Sequence, residues 1–224
     1  MIEIRNLSKT YRTDGKQQVK ALDNVSLKIE RGEFVAIVGP SGSGKSTLMN
    51  IIGLLDIPDS GSYRLDGREV ADLGIDELAG LRNKTIGFVF QQFHLLPKTS
   101  ARENVELPLI YSDKASINEL AENALTKVGL QDRMDHSPEE LSGGQQQRIA
   151  IARALVNDPE IILADEPTGN LDSKSGEEIM GVFGALNSDG RTIVLITHDM
   201  KIASHAERVL KMVDGKLTEV QRND

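Results

Sequence analysis

Between the apolar pentapeptide Phe34-Val35-Ala36-Ile37-Val38 and the helical run Thr47-Leu48-Met49-Asn50-Ile51-Ile52 stands Gly39-Pro40-Ser41-Gly42-Ser43-Gly44-Lys45-Ser46. This G-x-x-x-x-G-K-[ST] spacing has a physical reason. Glycines let the backbone curl so that successive N–H groups point inward at an anion. The helix that starts near Lys45 directs its positive dipole end at the same point. Lys45 is placed to reach the β- and γ-phosphates of a nucleotide, and the Ser46 hydroxyl to ligate Mg²⁺. Four fixed positions match by accident in roughly one chain of this length in a hundred, before the flanking strand and helix are required. The segment is therefore read as a phosphate-binding loop within an α/β fold.

The rest of the chain supports that layout. Ile161-Ile162-Leu163 and Thr192-Ile193-Val194-Leu195-Ile196 are continuous apolar runs, as in central strands buried on both faces. Residues 2–4 and 25–29 alternate apolar and polar like half-buried antiparallel strands. Asp66-Gly67 and Asp214-Gly215 each predict a hairpin, the second joining two strands between Arg208 and Val220. From Gln92 to Asp158 strand signals fade, and helices are predicted over 117–128 and 143–156. Ser142 caps the second, and Pro159 lies beyond its end.

Composition narrows the function classes. With 39% hydrophobic and 27% charged residues, the 224-residue chain should fold. No apolar run approaches the roughly 18 residues that span a bilayer, and Met1-Ile2-Glu3-Ile4-Arg5 lacks a secretion leader's pattern. The absence of cysteine removes disulfides, thiolate metal sites and thiol nucleophiles together, and fits the cytosol. Lys and Arg are scattered and outnumbered 26 to 34, so a nucleic-acid partner is not expected.

Three further features bear chemistry. Asp165 and Glu166 end the apolar run at Ile161, where parallel strands open onto a ligand crevice. Asp165 is the candidate for holding Mg²⁺ through water, and Glu166 for orienting an attacking water. His198 follows the run at Thr192 at the equivalent end, where a γ-phosphate contact is plausible; His94, His136 and His205 read as structural or surface residues. Leu141-Ser142-Gly143-Gly144-Gln145 opens a helix with a capping serine and two glycines, again suited to a phosphate. Two phosphate-grasping elements in one chain either close on one nucleotide or each complete a site on a second copy. Spacing leaves both open.

Over essentially its whole length the sequence resembles the nucleotide-binding subunits of ABC transporters. Residues 141–145 look like that family's signature, 39–46 like its Walker A segment and 161–166 like its Walker B. The resemblance implies a P-loop NTPase core with a mostly parallel sheet, an antiparallel β edge subdomain and an inserted helical lobe. The core then spans 1–91 and 159–224, the lobe 92–158. It implies MgATP as ligand, with Tyr11 stacking on adenine and Gly39, Pro40, Ser41, Gly42, Ser43, Gly44, Lys45, Ser46 and Thr47 around the phosphates. Gln91, with Gln92 beside it, matches the glutamine that senses Mg²⁺ and the attacking water, so Ser46, Gln91 and Asp165 become the metal set. Glu166, His198 and Lys45 become the catalytic residues. Asn170-Leu171-Asp172 matches the loop that crosses between subunits, with Asn170 where many relatives carry alanine.

In that family two subunits pack head to tail. Ser142, Gly143, Gly144 and Gln145 of one then cover the ATP held by the other's phosphate loop. A homodimer is implied, held at the cytoplasmic face of the membrane by an integral-membrane permease.

Phe88-Val89-Phe90-Gln91-Gln92-Phe93-His94-Leu95-Leu96-Pro97 and Glu103-Asn104-Val105-Glu106-Leu107-Pro108-Leu109 look like the lipoprotein-release and macrolide-export (LolD- and MacB-like) group. So does 164–172, with the cell-division ATPase as a near relative. The apolar stretches 93–97 and 107–110 either line the permease groove or pack the lobe's own core. The alternatives are a soluble ABC-type ATPase, disfavoured by the single cassette and the lack of heptads, a nucleotide-regulated binding module without turnover, disfavoured by the intact Glu166 and His198, and the cassette portion of a fused transporter. Against the last, the polar ending 218–224 reads as a natural terminus.

Overall fold

The computed structural model describes residues 1–12, 18–112 and 114–220. The terminal stretch 221–224 lies outside the described residues. In order, the elements are β1 (Ile2–Arg12), β2 (Gln18–Ile29), β3 (Phe34–Val38), α1 (Lys45–Ile52), β4 (Ser60–Leu65), β5 (Arg68–Glu69), α2 (Ile75–Thr85) and β6 (Ile86–Phe90). There follow α3 (Ala101–Glu106), α4 (Ile117–Lys127), α5 (Gly143–Leu155), β7 (Ile161–Asp165), α6 (Ser173–Ser188), β8 (Thr192–Thr197), α7 (Met200–Ala203), β9 (Arg208–Val213) and β10 (Lys216–Glu219). Two compact units result, one of Met1–Gly80 with the chain from Thr192 on, the other of Leu81–Arg191.

In the first unit every residue of β3 and β8 is buried, as their unbroken apolar runs require. The two are parallel, Phe34 opposite Ile193 and Val38 opposite Thr197, and β9 pairs in parallel with the other edge of β3. β10 returns antiparallel on β9 through Asp214 and Gly215, both at positive φ (49° and 75°). Such a pair of left-handed residues gives a hairpin the twist its strands need. Asp66 and Gly67 (φ 50° and 77°) do the same between β4 and β5.

A second, antiparallel sheet has the order β2-β1-β4-β5. β1 and β2 extend well beyond the predicted 2–4 and 25–29. The ladder shifts register between Ile4 and Leu7, and Asn6 and Asn24 take positive φ there. These bulges break the period of two, which hides the strands' continuation from a reading of alternation.

In the second unit β6 and β7 are parallel neighbours, with Ile86 opposite Ile161 and Phe90 opposite Asp165. β6 is absent from the sequence reading because Gly87 interrupts a short run that carries no alternation. α6 is likewise unpredicted. Gly176, Gly181 and Gly184 lower its helix propensity, yet Ile179, Met180, Phe183 and Leu186 form one buried face. α4 and α5 stand within a residue of the predicted ranges, and a capping box of Ser142 and Gln145 starts α5.

Asn104 of α3 is fully buried. Its Oδ1 accepts from Leu96 N (2.8 Å), while Nδ2 donates to Thr99 Oγ1 (2.7 Å), Ser100 O (3.0 Å) and Leu96 O (3.2 Å). Asn104→Ala should therefore cost about 3 kcal/mol of stability, read from urea unfolding, because it strands several buried polar groups.

Candidate functional site

In the first unit β3 delivers the chain to the candidate phosphate loop, residues 39–46, and α1 leaves it at Lys45. Gly44 precedes the helix with φ 106°, and a Cβ there would lie 2.3 Å from Ala21 O. At Gly39 a Cβ would meet Met212 O at 2.1 Å. Only glycine fits either place, so the curl of the loop is built into the sequence.

Lys45, 9% exposed, folds back and donates to Gly39 O (2.8 Å) and Pro40 O (3.0 Å). The ammonium thus bonds weakly basic carbonyls that phosphate oxygens can replace. Ser43 Oγ is buried without a hydrogen-bond partner among the described residues. An orphan hydroxyl and a buried ammonium in one curled loop fit a polyphosphate. Ser46 stands exposed in the first turn of α1.

Because Val38 pairs with Thr197, Gly39 and His198 leave adjacent parallel strands at the same end. His198 is exposed there, and the turn after it is fixed by Asp199 N donating to Thr197 Oγ1 at 3.1 Å.

Tyr11 lies near the far end of β1, 38% exposed. Its hydroxyl donates to Asp56 Oδ2 (2.6 Å), and Lys9 Nζ donates to Asp56 Oδ1 (2.7 Å). The Lys9 ammonium also sits 5.4 Å from the ring centroid. Burial, with the Asp56 carboxylate beside it, pushes the Tyr11 hydroxyl up, so it remains a donor. Burial opposes ionisation of Asp56, but the Lys9 ammonium and Tyr11 hydroxyl hold its carboxyl below the ordinary range. The hydroxyl end of the ring is thereby braced, and the residue remains 38% exposed.

In the second unit Phe90 pairs with Asp165, so Gln91 and Glu166 emerge side by side from β6 and β7. Glu166 takes φ 46°, and Gly169 N donates to its carbonyl at 3.0 Å. Glu166 is neither at a bulge nor in a hairpin turn, so its left-handed backbone makes it a candidate for a functionally constrained position. Gln91 Nε2 donates to Asn170 Oδ1 (3.3 Å) and Asn170 Nδ2 returns a bond to Gln91 O (3.0 Å).

Ser142 caps α5 by accepting from Gln145 N (3.3 Å), and Gln145 Oε1 accepts from Ser142 N (2.9 Å). Gly143 lies against Leu171, and Gly144 against Ser175 of α6. The N-terminus of α5 and the 170–172 loop are therefore neighbours. Asp172 caps α6, and the Ser175 hydroxyl and backbone N–H hold its carboxyl below the usual range.

His94 is exposed, its ring edge-on to Phe90 at 5.6 Å, and His136 lies 3.2 Å from Arg133. The apolar stretches divide. Leu109 is buried, whereas Leu96 (45%) and Ile110 (65%) are exposed. A groove of about 320 Å³ is lined by Phe93, Leu95, Pro97, Pro138, Glu139 and Gln146. Asp56, Lys9 and Gln147 are structural supports that the sequence reading leaves unmentioned, and Asn104 enters it only within the 103–109 segment, with no role of its own.

Residues 22–169 match the family model described as ABC transporter. The chain is 56% identical over 222 residues to a macrolide export ATP-binding/permease protein MacB of Bdellovibrio bacteriovorus, covering 99% of this chain and 34% of that protein. It thus spans about a third of the length of that relative. An uncharacterized ABC transporter ATP-binding protein of Bacillus subtilis, YknY, is 56% identical over 219 residues, covering 97% of this chain and 95% of that one. Among solved structures, the ATP-binding cassette MJ0796 in a dimeric post-hydrolysis state bound to ADP and Pi is similar, with TM-score 0.90 and 49% identity over the full length of both chains.

Proposed function

Because the chain belongs to the ABC transporter family, we propose that it is the ATP-binding and ATP-hydrolysing subunit of a transporter in the lipoprotein-release and macrolide-export (LolD/MacB-like) group. The observation that carries this reading is the phosphate loop whose Lys45 ammonium rests on two replaceable carbonyls beside a buried, unsatisfied Ser43 hydroxyl. On this reading residues 92–158 form the helical lobe of one cassette.

Tyr11 offers its ring to adenine. Lys45 exchanges Gly39 O and Pro40 O for β- and γ-phosphate oxygens, and the loop N–H groups take the rest. Glu166 accepts the proton of a water aligned with the γ-phosphorus. The new P–O bond forms as the bond to the β–γ bridging oxygen breaks, leaving ADP and phosphate. His198 and Lys45 steady the charge on the transferring group. Ser46, Gln91 and Asp165 offer hard oxygen donors that suit Mg²⁺, which neutralises phosphate charge when bound. Two copies close head to tail, the 142–145 segment of each covering the other's ATP, as supported by the dimeric state of the similar cassette.

The partner is an integral-membrane permease that holds the dimer at the cytoplasmic face. No helix among the described residues is long and apolar enough to cross a membrane. The groove around Phe93 and Leu95, with Leu96 exposed beside it, receives the permease. Leu96→Glu should weaken permease binding at least about tenfold and leave ATP-driven dimerisation intact, as read by co-purification and light scattering. Loss of both would assign Leu96 to packing.

The transport claim is tested by pull-down from detergent-solubilised source membranes with tagged Glu166→Gln and MgATP. Recovery of an integral-membrane protein is expected. Recovery of soluble proteins or nucleic acid alone would overturn transport and leave ATP hydrolysis standing.

A further inference from the structure

Gln147 lies in α5, one turn into the helix that Ser142 caps, and is fully buried. Its Nε2 donates to Pro167 O at 2.7 Å and to Phe90 O at 3.3 Å. Both partners are carbonyls, so chemistry fixes the amide with its nitrogen toward them. Its Oε1 is buried and has no hydrogen-bond partner among the described residues. A leucine of similar volume would avoid that stranded acceptor but would deprive Pro167 O and Phe90 O of this donor, so the amide is kept for the two carbonyls it grips.

The two carbonyls it grips are informative. Phe90 immediately precedes Gln91, and Pro167 immediately follows Glu166. Phe90 and Asp165 are paired across β6 and β7, so one side chain spans both strand ends where these residues emerge. Farther along α5, Arg153 Nη2 and Nη1 donate to Phe93 O (2.8 Å) and His94 O (2.7 Å). α5 therefore holds the segment after β6 independently of Gln147.

We propose that Gln147 is a positioning residue that fixes the backbone beside Glu166 and Gln91 to the helix headed by Ser142. A displacement of α5 when its N-terminus meets a nucleotide is then passed to both segments at once. This inference rests on the ATPase reading above but concerns a residue to which that reading assigns no role.

The test is Gln147→Leu, which keeps volume and burial but removes both donated bonds. Hydrogen exchange should quicken at 91–93 and 166–170, and kcat should fall at least tenfold. KM for ATP should change less than twofold whatever the change in Tm, since leucine relieves the stranded Oε1 but leaves two carbonyls without this donor. Unchanged exchange at both segments would overturn the proposal whether or not the parent protein hydrolyses ATP. So would an unchanged kcat, or a fall in kcat accompanied by a raised KM and a lowered Tm, which marks a residue that only holds the fold. Absence of ATP hydrolysis by the parent would instead count against the ATPase reading.

Discussion

Glu166→Gln should lower kcat for ATP hydrolysis by about 10²–10⁴-fold, the usual worth of a positioned general base, while ATP still binds. The amide keeps the shape of the carboxylate but cannot take a proton from water. Its place after β7, at φ 46° and beside Gln91, is set by backbone and strand pairing that the change leaves alone. Nucleotide affinity should therefore stay within about threefold, since Glu166 acts on water rather than on phosphate in this mechanism. Single-turnover phosphate release separates the two quantities. Rapid turnover in this variant would sink the assignment of Glu166 as base.

Lys45→Ala should raise the Kd for ATP by about ten- to a hundredfold. Charge-assisted hydrogen bonds are each worth roughly 1.5–3 kcal/mol, and about 1.4 kcal/mol is a factor of ten. In the free protein the lysine bonds Gly39 O and Pro40 O, so part of its binding energy goes to breaking those contacts. The net loss is accordingly placed at the lower end of the range. Titration of a fluorescent ATP analogue checks it. Unchanged affinity would contradict the phosphate-loop reading.

How much of this was legible in the sequence varied with the range of the interaction. The curled loop proposed to bind phosphate is legible directly because its determinants are local: the curl needs Gly39 and Gly44, and Lys45 follows within the same turn. Glu166 stood out because its strand is one unbroken apolar run. Gln91 was reached only through the family resemblance, since β6 is short, glycine-interrupted and without period.

Bracing of the site could not be read at all. Tyr11 is held by Asp56, 45 positions away, and nothing in either segment announces the other. Gln147 sits in the run Gln145-Gln146-Gln147, where all three look alike. Only the fold reveals that Gln147 is buried on two carbonyls whereas Gln145 completes a helix cap. Asn104 is equally inconspicuous in Glu103-Asn104-Val105, yet it ties down Leu96, Thr99 and Ser100. Polar residues that serve by being buried leave no mark in hydrophobic periodicity.

The central claim is that two copies close around MgATP, the phosphate loop of one facing Ser142 of the other. Light-scattering mass of Glu166→Gln with and without MgATP tests it most directly, alongside the same variant carrying Ser142→Arg. The account predicts a doubling of the 24.5 kDa mass on adding MgATP, and loss of that doubling with Ser142→Arg although ATP still binds. A monomer at saturating MgATP, or a dimer indifferent to Ser142→Arg, would contradict it.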